Sequence, residues 1–281
     1  MAIADPRPTL PDPTPAPPPA RRPGAVKSFL IEIGDIGYFA ADTVKALPTV
    51  PRFFAEVLRQ SSILVRGSLL IIAALVMFIG VTQVNFAYFF LKSAGASDYT
   101  GLFSGLTTPR AAVPIMFGYI FAAKVGGGLA AEIGAMRISE EIDALEAEAI
   151  NPMSYLVGTR LVGAILFAPI AAVVALLAGT AGSYLQAIPV LQGLTPGSFL
   201  HYHWGVQNLA DQLLCIMNLT IQAIVIVLVS CYYGYKASGG PTAVGAAVAR
   251  SLLVNIVLIH VITAMYILVF YGQDPHLPIG G

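Results

Sequence analysis

The chain has 281 residues, 57% of them hydrophobic and 11% charged, with a formal net charge of zero and a mean hydropathy of +0.77. Soluble domains carry about a quarter charged residues, so the composition reads as an integral membrane protein of about five or six spans. The neutral balance gives no support to nucleic-acid binding, and Cys215 and Cys231, both in an apolar run, read as packed free thiols rather than metal ligands.

Residues 1–25 are proline-rich and read as a disordered, partly polyproline II tail. No apolar run follows the first charges, as a secretory signal peptide requires. Residues 26–61 read as amphipathic helices lying in the membrane interface. Phe29, Ile33, Ile36, Ala40, Val44 and Leu47 recur at helical spacing. Pro48 and Pro51 interrupt, and Phe53, Phe54, Val57 and Leu58 make a second apolar face.

Residues 62–275 read as a bundle of five transmembrane helices, followed by a short tail at 276–281. The first span runs from about Gly67 to Leu91. Its amides Gln83 and Asn85 need partners, either across helices or in a wet cavity, and Tyr88, Phe89 and Phe90 follow as an interface belt. Lys92–Thr108 reads as a polar, glycine-containing loop. The second span covers about Pro109–Met136. In it Lys124 and Glu132 stand eight residues apart and so point the same way. Each is a functional candidate at membrane depth, or a snorkelling or paired group near Arg137.

The third span starts after Pro152, with Arg160 near its inner end and Pro169 midway, and extends to about Leu185. It is long enough to be tilted, kinked or projecting. Residues 186–208 form a polar outer segment. There His201-x-His203 lacks a third metal ligand nearby and reads with Trp204 as a short interfacial helix. The fourth span, about Leu209–Tyr235, carries Asp211 and Gln212 at its outer end and Asn218 and Gln222 within. The fifth, about Val244–Tyr271, carries Asn255 and His260, the latter a proton relay or a packed, hydrogen-bonded ring.

The segment between spans 2 and 3 is unlike the rest. Ile138, Ile142, Leu145 and Ala149 fall at helical spacing, while Glu140, Glu141, Asp143, Glu146 and Glu148, five of the fifteen acids, cover the remainder. Ser139 reads as the N-cap, the glutamates suit the positive helix end, and Asn151-Pro152 opens the next helix. So much like charge in a short turn reads as a docking surface. Thirteen basic residues fall on the side of this turn and the N-terminus, against Lys92 and Arg110 opposite. That places both turn and N-terminus in the cytoplasm and the C-terminus outside. No nucleotide-binding loop, dinucleotide fingerprint, zinc-protease or nucleophile-elbow motif is present, so an energy-coupled function needs an external motor.

The run AAKVGGGLAAEIGAMRISEEIDALEAEAINP, with Arg160 beyond it, resembles the signature of the MlaE/YrbE permeases. These are the membrane half of lipid-transporting ABC systems that work with MCE-domain proteins. Gly126, Ala131, Glu132, Gly134, Met136, Arg137, Ser139, Glu140, Ile142, Asp143, Ala144, Leu145 and Pro152 match the pattern. CYYGYKASGGPTAVGAAVARS resembles the actinobacterial Mce-associated YrbE proteins, the tyrosines looking more like the B-type partner of an A/B pair.

The resemblance implies an all-α inner-membrane permease of five transmembrane helices with an N-terminal interfacial helix and a coupling helix at about 138–150. Arg137, Ser139, Glu140, Glu141, Asp143, Glu146 and Glu148 would meet an ABC ATPase dimer that binds ATP and magnesium, this chain holding no cofactor and catalysing nothing. A paralogous YrbE-type subunit would complete a heterodimer, and MCE-domain proteins would sit outside. The substrate would be fatty or mycolic acids, other lipids or sterols in a cavity between protomers, with Gln83, Asn85, Tyr88, Arg110 and Asn255 at the headgroup. Lys124, Glu132 and Arg160 would be intramembrane polar groups. The sequence departs from the family at Arg110-Ala111-Ala112-Val113-Pro114, which lacks the usual glutamate, at Lys124, where arginine is usual, and at Glu148-Ala149, where Met-Gly is usual. Two other classes fit the residues alone: an ion-coupled secondary transporter using Lys124, Glu132 or His260, and a passive scaffold of an envelope complex.

Overall fold

A chain that crosses a bilayer has to pair its backbone groups internally, and helices do this within each segment. In the computed structural model, which describes residues 25–191 and 193–272, the elements are helical, with no strand among the described residues. Of the tail expected at residues 1–25, residues 1–24 lie outside the described residues, as does the C-terminal tail at 276–281, and Ala25 begins the first helix. In order the elements are α1 (Ala25–Ala46), a 3-10 stretch (Leu47–Phe53), α2 (Phe54–Ser93), a short 3-10 turn (Ser97–Tyr99), α3 (Thr100–Thr107), a π-helical stretch (Thr108–Ala112), α4 (Val113–Phe121), a second π stretch (Ala122–Gly126) and α5 (Gly127–Ile138). Then come α6 (Glu141–Ala147), a third π stretch (Met153–Gly158), α7 (Thr159–Ala187), α8 (Pro196–Gly205), α9 (Leu209–Tyr235) and α10 (Pro241–Tyr271).

Among the described residues, five segments are long and apolar enough to cross a membrane: Leu30–Ser93, Ser97–Ile138, Met153–Ala187, Leu209–Tyr235 and Pro241–Tyr271. They are the five expected spans, in the expected order. The chain divides at Asp35. Residues 25–35 are the first turns of α1, with Leu30, Ile31 and Ile33 exposed; the second unit begins at Ile36.

In the second unit, the face of α1 that packs inward is Phe39, Thr43 and Ala46, while Val44 on the expected interfacial stripe is exposed. Phe39 meets the ring of Tyr232 edge-on at 5.7 Å. Two local expectations are corrected. First, α2 has no break at residue 61; Phe54–Ser93 is one helix of 40 residues. The 3-10 stretch before it is fastened to the base of span 3, where Thr49 Oγ1 lies 2.6 Å from Ser154 Oγ and Val50 fills the face left open by Gly158. Second, the stretch expected as a loop before span 2 is helix α3. Gly101 and Gly105, four residues apart, lie against the backbone of α8 at Phe199 and His203, a small-xxx-small contact that polarity alone concealed.

Glycine sets the closest approach elsewhere too. The α2 and α7 helices pack along one another, with Gly80 against the Gly179 carbonyl and Gly182 against the Met77 carbonyl, so near that a Cβ on either glycine would overlap the facing oxygen. At the centre, Phe117, Phe121 and Phe167 are buried and stack at 5.2 and 5.9 Å, joining α4 to α7.

In α8, the Thr195 side chain accepts from Ser198 N and caps the helix. Its two histidines do not converge: His201 is exposed and His203 buried, as residues two apart on a helix must point apart. Gln207 Nε2 lies 3.0 Å from His203 Nε2, and burial lowers the His203 imidazole to about 4, so the ring is neutral at physiological pH.

The α2–α7 contact is directly testable. Gly182→Val should lower stability in detergent by about 3 kcal/mol or more through overpacking, read as a drop in thermal midpoint. Gly245→Ala, where an added Cβ meets nothing within 4 Å, should leave the midpoint unchanged or raise it.

Candidate functional site

The acidic turn is built from two helices and the sharp corners around them. Ser139 ends α5: its backbone N–H and its hydroxyl both donate to the Ala135 carbonyl at 3.0 Å. It therefore closes the preceding helix rather than capping α6, whose first turn has no side-chain cap. Glu140 turns the corner at φ 59°, and Ala149 leaves α6 at φ 59°. Among the described residues these are the non-glycine positions with positive φ. At the far corner Ala149 N donates to Glu146 O and Ile150 N to Leu145 O, each at 3.0 Å, the paired closure of a left-handed helix end. Asn151 Oδ1 then accepts from Met153 N at 2.9 Å and starts span 3 as expected.

Ile142 is the anchor, fully buried in the core. Ile138 and Leu145 are half-buried, Ala149 exposed. Glu140, Glu141, Asp143, Glu146 and Glu148 are all exposed. Arg137 donates to Asp143 at 2.6 Å and lies 5.7 Å from the Tyr235 ring. Both partners are substantially exposed, so this pair orients the turn and contributes little stability.

Behind the turn, Glu132 pairs with Arg160, not with Arg137. Arg160 Nη2 donates to Glu132 Oε1 at 2.6 Å, and Nη1 donates to Leu156 O at 2.8 Å. The guanidinium is 5% exposed and the carboxylate 52%. Spans 2 and 3 are thus bridged on the bundle side of the acidic turn.

The residues expected around a lipid headgroup do not gather at one cavity. Gln83 Nε2 donates to Thr108 Oγ1 at 2.6 Å and to Ser183 Oγ at 3.2 Å, while its Oε1 accepts from Thr107 at 3.1 Å, so its amide ties α2 to α3 and α7. Arg110 Nη2 donates to Asp211 Oδ2 at 2.9 Å, the side chains 12% and 3% exposed. Its guanidinium lies 4.2 Å from the Tyr271 ring, and the Tyr271 hydroxyl donates to Asp211 Oδ1 at 2.7 Å. Tyr88 is buried against Lys92 and Phe89. Asn255 is buried and donates to Ser230 and Ser251 at 3.0 and 3.3 Å, part of a polar seam between α9 and α10 that Gln222, bonded to Asn218 and Thr263, continues. Asn85 is half-buried. His260 is exposed; its Nδ1 lies 2.8 Å from the Ile256 carbonyl and its Nε2 2.8 Å from the Tyr119 hydroxyl.

Open grooves lie elsewhere. One of about 470 Å³ runs between α7 and α9, walled by Val173, Leu176 and Leu177 and rimmed by Trp204, Gln207 and Gln212. Two more, of about 290 and 480 Å³, lie between α2 and span 2 and share Lys124.

A family model described as Permease MlaE matches residues 57–269, about three quarters of the chain. The chain belongs to the MlaE permease family. A probable ABC transporter permease protein of Rickettsia typhi is 26% identical over 231 residues, covering 82% of this chain and 89% of its own. The intermembrane phospholipid transport system permease protein MlaE of Haemophilus influenzae is 25% identical over 233 residues, covering 81% and 87%. A probable ABC transporter permease protein of Synechocystis is 29% identical over 167 residues, covering 59% and 63%. This MlaE-family chain is therefore a multi-pass membrane permease of the ABC-transporter type.

Sequence reasoning did not join Asp211 and Tyr271 to Arg110. The signal was there: Asp211 is the one acid between Glu148 and Gly272, and a cation at that depth needs a carboxylate. Asp211→Leu should lower stability by about 3–5 kcal/mol, because it leaves a buried guanidinium without its carboxylate. Adding Arg110→Met should recover most of that loss, as thermal unfolding of the single and double variants will show.

Proposed function

We propose that this MlaE-family permease is the membrane subunit of an MCE-type ABC lipid transporter. It moves fatty or mycolic acids, other lipids or sterols across the inner membrane. A separate ATPase dimer, holding ATP and magnesium, docks on the acidic turn. A paralogous YrbE-type subunit completes the permease pair, and MCE-domain proteins sit on the extracytoplasmic side. The N-terminus and the turn are cytoplasmic and the C-terminus is outside, in keeping with the thirteen basic residues on the turn's side.

The observation that carries this reading is α6. With its flanking residues Glu140 and Glu148 it exposes five carboxylates, it buries one isoleucine, and it is bounded by two left-handed corners at Glu140 and Ala149. Such corners cost roughly 1–3 kcal/mol each and persist where the surroundings over-determine them. A short, stiff, acidic projection between two spans suits transmission of force from a motor. ATP-driven closure displaces the turn, and spans 2 and 3 follow. Lipid cargo fits the apolar grooves, since burial supplies about 0.8 kcal/mol per methylene; the phospholipid named for the Haemophilus relative is of this class.

Glu140, Glu141 and Glu146, replaced together by lysine, should abolish co-purification of the ATPase while thermal unfolding of the permease stays unchanged. Retained ATPase binding would remove the docking role.

A further inference from the structure

We infer that the groove between α2 and span 2 binds one membrane amphiphile with an anionic headgroup, a carboxylate or a phosphate, held at Lys124. The inference rests on the lipid-permease reading above and adds a site and a headgroup charge to it.

The groove has two halves that meet at Lys124. One, of about 480 Å³, is walled by Ile71, Leu75, Met116, Tyr119 and Ile120. The other, of about 290 Å³, is lined by Arg59, Gln60, Ser68 and Glu132 and lies toward the acidic turn. Lys124 is level with Gly67–Ile71, where the apolar run of span 1 begins. An amphiphile therefore fits one way round, its chain along the apolar half and its headgroup toward the acidic turn. Met116 to Lys124 alone is about 12 Å of helix, enough to sheathe much of one acyl chain.

Charge selects the headgroup. Arg59 is paired with Glu56 at 2.7 Å, through both Nε and Nη2, and Glu132 with Arg160 at 2.6 Å, so these four charges cancel. Lys124 is exposed and makes no hydrogen bond or ion pair with the described residues. An ammonium at the edge of an apolar groove is costly without a counter-ion. A carboxylate or phosphate supplies one, at the end of the groove that Gln60 and Ser68 also line. A zwitterionic headgroup brings its own cation and gains less.

The test uses the full-length permease in phosphatidylcholine vesicles, doped either with a diazirine-tailed phosphatidic acid or with phosphatidylcholine carrying the same tail. After photolysis, labelled peptides are mapped by mass spectrometry. The acidic probe should label the segments around Ile71–Leu75 and Met116–Ala123 about tenfold more than the zwitterionic one. Lys124→Gln should abolish that tenfold preference, the effect of losing one charge-assisted contact, and Lys124→Arg should keep it. Leu75→Trp, which fills the groove and leaves Lys124 in place, should block labelling, so the inference stays testable if Lys124→Gln fails to fold. Equal labelling by the two probes would overturn it. So would competition by free inorganic phosphate, or a cysteine at Ala123 that crosslinks to a second copy and excludes the probe. ATP-driven lipid transport, measured in parallel, separates the two readings. Transport without headgroup preference sinks this inference alone. Lys124-dependent labelling without transport sinks the permease reading alone.

Discussion

Charge at membrane depth has to be paired or wet, and span 2 is held in place by how this protein meets that demand. Near the acidic turn, Glu132 on α5 takes Arg160 from span 3. At the opposite end, Arg110 takes Asp211 from span 4, which also accepts from Tyr271 at the end of span 5. Span 2 is thereby clamped to span 3 at one end and to spans 4 and 5 at the other. Between the clamps its contacts are apolar or polar but uncharged: the stacked Phe117, Phe121 and Phe167, and glycines facing α9, where Gly118 meets Gln222 and Gly126 meets Ser230.

The acidic turn gains its stiffness from that frame. Burial of Ile142 contributes about 2 kcal/mol, comparable to the cost of one left-handed non-glycine corner. The hydrogen-bonded helix end at Ala149 and Ile150 and the Asn151 cap hold the other corner. Asp143 and Glu141 each accept one contact, from Arg137 and Ser139, but crowded together the carboxylates repel one another. They are kept exposed and close at a stability cost, which is intelligible if another molecule supplies the opposing charge.

Much of this was legible in the sequence, and the limits are physical. Five spans follow from long apolar runs, because the bilayer allows few alternatives. The acidic helix follows from the spacing of Ile138, Ile142 and Leu145. Its N-cap did not, since Ser139 serves equally well as a hydroxyl that closes the preceding helix, and only the corner at Glu140 decides between the two. Helix α3 was hidden because Gly101 and Gly105 read as loop residues, whereas their value lies in a neighbour, α8, nearly a hundred residues away. The polar residues were recognised as needing partners, but their partners were not recognised. Gln83, Arg110 and Asn255 each proved to be committed within the protein, and Lys124, read as a functional candidate or a snorkelling group, faces an open groove.

The central claim is that the acidic turn moves with spans 2 and 3 as one body. Pulsed electron–electron spin resonance on the assembled transporter tests it directly, with labels at the exposed Glu146 and Val173 and the native cysteines, both buried, left in place. Within one permease chain, the Glu146–Val173 distance should be the same in the nucleotide-free and the trapped ATP-bound states, while the Glu146 position shifts relative to the proposed second permease subunit. A Glu146–Val173 distance that changes with nucleotide would mean that the turn bends on its own, and would contradict the account.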